Sequence, residues 1–411
     1  FIKGFGTLLS VAAVGPAFNF RPTALPKLSE AEPNENYWQL VKNQFSLKKG
    51  YVMMNAANLC PSPYQVSESI NRCNGLLEED VSFQNRSMFS SLHDEAKSAL
   101  AEYLSADEDE LIITRNTSES NNIVVNGLDI GKGDEVLLWE QNHPTNHIAW
   151  QERSKRMGFS VKVISLPPQP SDPSELVKAF EKAITPKTRL LAFSHISNVS
   201  GLKLPAAQLC DMARSKGVLS LVDGAQSFGF ADIDLTSIGC DFYSGSLHKW
   251  MMGPKETGVL FVKKDNIHRL WPNMIAAGYD GSNPENIERL ASFGQRHEAS
   301  LAGLISIVGF HQKIGKANIE QRTLKLCAAL RENISGRLKD VHWITPENED
   351  LRGGVLIFDL PGQDNVKIFR ELYEKYQIAC APTGGIRLSP HVYNTMEEVE
   401  KVASALAKLS A

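Results

Sequence analysis

The sequence predicts an α/β fold followed by a smaller α+β unit, and three observations carry that prediction. Between residues 111 and 223, short apolar runs alternate with segments of helical period. Those runs are continuous rather than alternating apolar and polar, the pattern of strands covered on both faces of a mostly parallel sheet. After Val262 the alternation ends: a Gly/Asn/Pro-interrupted stretch, a long helical stretch, and short strands with helices follow.

Composition sets the frame. The 411 residues, 42% hydrophobic and 22% charged, allow one large domain and one smaller one. Net charge is −4 with both signs interspersed. That balance offers no basic patch to nucleic acid, so no nucleic-acid partner is expected. The six cysteines form no CxxC pair and no zinc spacing, so they read as core thiols and no metal site is expected.

Residues 1–18, FIKGFGTLLSVAAVGPAF, combine one lysine, a small-residue apolar run and Gly15-Pro16-Ala17. They read as an export-signal remnant, too short and Gly-rich for a membrane span, so no stable membrane anchor is expected. FIK resembles the tail of a twin-arginine export motif, whose arginine pair would precede Phe1. The protein is therefore expected to be periplasmic or exported. An N-terminal arm on a cytoplasmic protein is the alternative.

Residues 19–50 read as a proline-rich linker and a short helix, 51–265 as the large domain and 266–411 as the smaller one. In order, the large domain offers a strand at Tyr51–Asn55, a loop at Ala56–Pro63, and helices at Gln65–Leu77 and Ser87–Leu104. Strands then read at 111–114, 135–140, 160–166, 190–195 and 218–223. Helices fall between them at 123–128, 142–157, 174–184 and 206–216. The second unit reads as mostly helical over 298–337, with strands at 341–344, 354–360, 377–380 and 386–389 and helices at 365–375 and 396–409.

In such a sheet ligands lie beyond the carboxyl ends of the strands. Thr117, His143, Asn198 and Asp223 each follow a different strand at that rim. The polar run after Thr114 turns into a helix, and its free N–H groups suit a phosphate, although a plain N-cap explains the same residues. Asp223 ends a buried run, and a second short strand carries His248 and Lys249 toward Gly253. An acid and a lysine at neighbouring strand ends are the two parts that a pyridoxal phosphate site requires.

The segment DFYSGSLHKWMMGPKETGVLFV at 241–262 resembles the lysine motif of class-V aminotransferase-type pyridoxal phosphate enzymes. The form YSGSLHKW is more similar to the isopenicillin N epimerase-like branch than to the cysteine desulfurases. NTSESNN at 116–122, SHISNVSG at 194–201, VDGAQSFG at 222–229 and GIRLSPHVYNTMEEVEKV at 385–402 extend the resemblance from about Tyr51 to the end of the chain. It implies a fold-type-I enzyme, pyridoxal 5'-phosphate as cofactor, and a homodimer.

Residue by residue, the resemblance makes Lys249 the Schiff-base lysine and Asp223 the partner of the ring nitrogen. Gln226 and Asn198 match residues that hydrogen-bond the ring hydroxyl, and His143 matches the ring-stacking position. Neighbouring His147 is the alternative for stacking. Thr117 and Ser118, with Ser246 and His248, match phosphate contacts. Arg387 matches the clamp on the substrate α-carboxylate, a role suited to a planar two-donor fork. Plainer roles remain beside these: a turn for Asn198, a structural hydroxyl for Ser246, an inter-strand salt bridge for Arg387. One departure is Gln295, in Phe293–His297, where many members place a threonine that reaches the partner subunit's phosphate; Arg296 is the other residue that could replace it.

The substrate implied is a free amino acid or an amino-acid conjugate, and the reaction an epimerisation, a racemisation or an amino transfer. Lys249 would serve one face of the α-carbon; His143, Tyr243 and Tyr279 are candidates for the other. Cys380 sits too close to Arg387 to match a desulfurase cysteine loop, which disfavours persulfide formation and leaves C–S lysis open. A non-catalytic cofactor-binding relative is the remaining alternative.

Overall fold

Seven strands make the central sheet: β2 (Leu111–Thr114), β3 (Glu135–Trp139), β4 (Ser160–Ile164), β5 (Thr188–Ser194), β6 (Leu219–Asp223), β7 (Phe242–Ser246) and β8 (Gly258–Val262). β1 (Val52–Met53) pairs elsewhere. The computed structural model describes Leu25, residues 33–277 and residues 279–410. The expected export-signal remnant at 1–18 and the start of the linker lie outside the described residues.

The strand order is β2-β8-β7-β6-β5-β3-β4, and β8 alone runs against its neighbours on both sides. β2, β7 and β8 are buried along their whole length. Each fully buried Leu, Ile, Val or Phe in such a strand contributes roughly 1.5–3 kcal/mol. Burial on both faces is why these strands read as unbroken apolar runs. The register aligns the carboxyl ends, with Ser194 beside Asp223 and Asp223 beside Ser244. Three polar residues from three strands thus stand in one row.

Two local expectations change. The helix after β2 spans Thr117–Gly127 rather than beginning at Ile123, because Asn116 caps it by accepting the Glu119 N–H at 3.0 Å. Such a cap contributes about 1 kcal/mol. The polar run NTSESNN therefore forms the first turns of the helix. The strand before the lysine ends at Ser246, and His248 and Lys249 lie in the turn beyond it.

The second sheet is antiparallel, with β10 (Leu356–Asp359) between β9 (His342–Trp343) and β12 (Ile386–Leu388). β1 runs parallel to β11 (Ile378–Ala379). Val52 and Met54 are buried in one cluster with Leu330, Phe358, Leu372 and Leu406. The start of the large domain is thereby sewn into the C-terminal core. Helix Ala299–Ile314 packs on helices Tyr64–Glu79 and Ser90–Leu104. Among the described residues no helix is long and apolar enough to cross a membrane, and no cluster of ligand-type side chains could hold a metal.

Candidate active site

Asp223, at the end of β6, is buried. Its carboxylate accepts from Asn121 Nδ2 at 3.0 Å and from the Ala225 N–H at 3.1 Å. Both donors are neutral, so the charge is solvated but not cancelled, and a cation above the sheet end would complete it. Asn121 is locked in turn by Ser244, whose hydroxyl donates to its Oδ1 at 2.7 Å. The Gly224 turn that follows leaves no space for a side chain: a Cβ there would lie 2.1 Å from the Tyr243 ring. Tyr243 itself is fully buried, its hydroxyl paired with Ser227 at 3.1 Å. It is a floor residue, and its candidacy as an acid or base is set aside.

The helix starting at Thr117 points its first N–H groups at the end of β7. Ser246 Oγ accepts the Thr117 N–H at 2.8 Å and lies 2.7 Å from Thr117 Oγ1. Thr117 and Ser246 are buried, and Ser118, one residue on, is half-buried. Hydroxyls and free amides at a helix start, with the positive end of the dipole behind them, make a seat for a phosphate.

Lys249 is held in a tight turn. Its carbonyl accepts the Met252 N–H at 2.8 Å, and Leu247 O accepts from Gly253 N at 2.7 Å. Met252 takes a left-handed φ of 57° to close the turn. Lost solvation pulls the Lys249 ammonium below the usual lysine range; Asp223 opposes this and Arg387 adds to it. Beside it, burial, then Lys249 and Lys255, push the half-buried His248 down to about 4.

His143 caps its helix, with Nδ1 2.9 Å from Thr145 Oγ1. Burial and Lys249 lower its pKa, Asp223 raises it, and Arg387 lowers it further, so the imidazole is neutral at pH 7. The charges of three residues predicted from separate motifs thus all act on one imidazole. His147 faces away: its Nε2 donates to the Trp139 carbonyl at 2.7 Å. Gln226 is buried, with Oε1 accepting from Trp250 Nε1 at 2.7 Å and Nε2 donating to Ala57 O at 2.9 Å. Nε2 keeps a second hydrogen for a ligand.

Arg387 comes from β12 and is buried. Nη1 donates to the Asn198 carbonyl at 3.2 Å, Nη2 donates to Asn55 Oδ1 at 3.1 Å, and Nε has no partner. No acidic side chain among the described residues pairs with it, so the salt-bridge alternative fails. Burial draws the guanidinium down to about 10, with Cys380 opposing. A buried, half-satisfied guanidinium is costly unless a carboxylate arrives. Asn198 meets this group through its main chain, in a turn fixed by Gln141, which accepts from Ser197 at 2.8 Å and Ser200 at 2.6 Å.

Sequence reasoning missed Asn121, Asn55 and Gln141. Asn121 had a signal: it lies four residues after Thr117, on the same helix face. The other two come from segments whose meeting only the fold reveals. Gln295 and Arg296 are engaged within their own chain, Gln295 Oε1 accepting from Arg86 at 2.7 Å and Arg296 Nη1 donating to Ile113 O at 2.7 Å. They border a cleft of about 830 Å³ with Arg115, Lys255 and Glu298.

The residues fit pyridoxal phosphate. The phosphate seat, the uncancelled buried carboxylate, the desolvated lysine and the neutral imidazole supply its four needs, and the unpartnered Nε of Arg387 supplies a substrate's. Comparisons with known proteins agree. A family model described as aminotransferase class-V matches residues 65–402. The chain is 33% identical over 394 residues to an isopenicillin N epimerase of Amycolatopsis lactamdurans, covering 91% of this chain and 98% of that protein. It is 29% identical over 347 residues to a probable cysteine desulfurase of Pyrococcus abyssi, covering 78% and 84%. A cysteine desulfurase structure from Thermococcus onnurineus superposes with a TM-score of 0.82 at 24% identity, covering 93% of this chain and 99% of that one.

Proposed function

The chain belongs to the class-V aminotransferase family and is a pyridoxal-phosphate-dependent enzyme; we propose that it acts at the α-carbon of an amino acid or amino-acid conjugate, by epimerisation or by amino transfer. The observation that carries this reading is the electrostatic linkage of Lys249, Asp223 and Arg387 with His143, together with a buried Arg387 whose Nε is left unpaired. Similarity to an isopenicillin N epimerase over nearly the whole chain supports the epimerase end of the range.

Pyridoxal phosphate supplies an electron sink for the charge left when a bond at the α-carbon breaks. The protein does the rest. Asp223 would pair with the ring nitrogen and keep it protonated, its carboxylate held in place by Asn121 and the Ala225 amide. Thr117, Ser118, Ser246 and His248 would hold the phosphate. Gln226 and Asn198 would serve the ring hydroxyl, and His143 would stack on the ring. Arg387 binds the α-carboxylate and so orients the bond to be broken. Lys249, its ammonium weakened by lost solvation, would take the α-proton on its face. With Tyr243 sealed in the floor, His143 and Tyr279 are left for the opposite face in an epimerisation.

A persulfide mechanism is disfavoured. Cys380 is buried beside β11, and burial pushes its thiol up to about 12, so it is neither mobile nor a thiolate.

The test is direct. Purified protein with no visible cofactor band, even after added pyridoxal phosphate, sinks every enzymatic reading. Where the band forms, L-amino acids in deuterated water should exchange their α-hydrogen. Inversion marks an epimerase, keto-acid formation a transaminase, and sulfide or pyruvate a lyase. The homodimer is also a proposal, resting on the family, and sedimentation of the holoenzyme as a monomer refutes it. The export reading of residues 1–18 rests on their composition, and mass spectrometry of the native N-terminus tests it.

A further inference from the structure

Two buried histidines that the chemistry does not use lie against the lysine turn. His311 Nε2 is 3.0 Å from the Met251 carbonyl, and His391 Nε2 is 2.7 Å from the Trp250 carbonyl. A carbonyl can only accept, so Nε2 carries the proton in both rings. The other nitrogens complete the arrangement: Tyr103 OH lies 3.0 Å from His311 Nδ1, and Thr323 Oγ1 lies 3.2 Å from His391 Nδ1. The two carbonyls that directly follow Lys249 in sequence are thus held by imidazoles.

His391 does more than His311. Its ring stands edge-on to the Trp250 indole, 5.3 Å between centroids. It lies four residues after Arg387, in the segment that enters the site from β12. From there a closed circuit of contacts can be traced. Trp250 Nε1 donates to Gln226 Oε1 at 2.7 Å, Gln226 Nε2 to Ala57 O at 2.9 Å, and the Ala57 N–H to Ser389 Oγ at 3.2 Å. Ser389 is two residues from His391, whose Nε2 returns to Trp250. Every member is fully or almost fully buried, so no water competes and each bond holds its neighbours in place.

We propose that His391, with Ser389 and Trp250, is a positioning residue that couples capture of the substrate carboxylate at Arg387 to the geometry of the cofactor link at Lys249. The circuit gives the carboxylate-binding segment and the lysine turn one shared set of restraints. A shift of the Arg387 segment as it closes on a carboxylate moves Ser389 and His391 with it. It therefore reaches both the Lys249 main chain and the Gln226 amide. This inference rests on the functional reading above, in that it needs a cofactor at Lys249 and a carboxylate at Arg387.

The test uses the holoenzyme and propionate, a carboxylate with no amino group to react. Visible circular dichroism of the bound cofactor reports its geometry. Saturating propionate is expected to change that signal in the wild type. In His391→Leu and in Ser389→Ala the change at saturation is expected to fall to roughly half or less. His391→Gln, which keeps an N–H donor, is expected to retain it. A merely structural role would lower each variant's melting temperature and leave the saturating change intact. Equal changes in wild type and both disrupting variants, or no change in the wild type, overturn the coupling. Absence of any cofactor band would instead refute the functional reading itself.

Discussion

The floor of the site and its rim are built differently. The floor, residues 111–262, is made of strand ends in register, and its polar groups are already held by partners from the same chain: Asp223 by Asn121, Asn121 by Ser244, Thr117 by Ser246. The rim between Trp271 and Glu285, whose Asn273 and Met274 line a cleft with Asn116 and Ser118, carries no strand among its described residues, and it leaves Trp271, Met274 and Ile275 exposed. A preorganised floor serves any chemistry that needs the cofactor held and charged in one way. A loosely tied rim is where selectivity among substrates is set. The contrast explains why the cofactor is readable from this chain while the substrate is not.

Substitutions can break that contrast or sharpen it. The largest effect is expected in the floor: Lys249→Ala should lower kcat by about 10²–10⁴-fold, while equilibrium dialysis still finds pyridoxal phosphate bound through the phosphate seat. Full activity in this variant would remove the lysine from the mechanism. Next comes Arg387→Gln, which should cost about 10–100-fold in kcat/KM for amino acids. It should cost far less for the matching amino amides, which lack the carboxylate; equal losses on both would mean that Arg387 holds the fold rather than the substrate.

The buried imidazoles come third. Burial pushes His311 and His195 down to about 3 and His391 down to about 4, below the unfolded value of about 6.5. The unfolded chain therefore binds more protons over that range. Their stabilising effect is complete above about pH 6.5 and is lost as pH falls toward the folded values. The unfolding free energy from urea titrations should drop between pH 7 and pH 5, by on the order of 1–2 kcal/mol for each histidine. His311→Gln should flatten that slope, and an unchanged slope would mean the ring is not held neutral.

Smaller still, Ser246→Ala should weaken pyridoxal phosphate binding by about 3–10-fold, read by fluorescence titration of the apoprotein. At the rim, Met274→Ser, beside Asn116 and Ser118 in the same cleft, should change stability by no more than about 0.5 kcal/mol and alter only the ranking of substrates. A comparable loss of cofactor affinity in Met274→Ser would erase the distinction between floor and rim.

Much of the floor was legible in the sequence because its signals are local. Continuous apolar runs named the strands, and the candidates at their carboxyl ends stood out by that position. Asp223 and His143 were found that way, whereas Lys249 and Arg387 were found through motifs that resemble the family, Arg387 within a strand rather than after one. The helix start at Thr117 was misjudged because Ser, Asn and Thr weaken helical periodicity in the turn where they cap it. The second-layer partners were not legible for another reason. Asn55 and Gln141 owe their positions to contacts between distant segments, and no local pattern encodes those.

The circuit through Ala57, Gln226, Trp250 and Ser389 has a consequence for how the protein is made. Its Ala57–Ser389 contact joins residues 332 positions apart, and β1 likewise waits for β11, near the end of the chain. Translation delivers the phosphate seat and the lysine well before it delivers the segment that closes them in. Contacts of such long range form late in folding. A nascent chain can therefore meet pyridoxal phosphate at an open floor, but it can grip it only once residues 378–391 have folded back onto residues 52–57. Cofactor loading then becomes a late step of maturation, and a truncation that removes residues 378–411 should yield a protein that binds the cofactor weakly and loses it quickly.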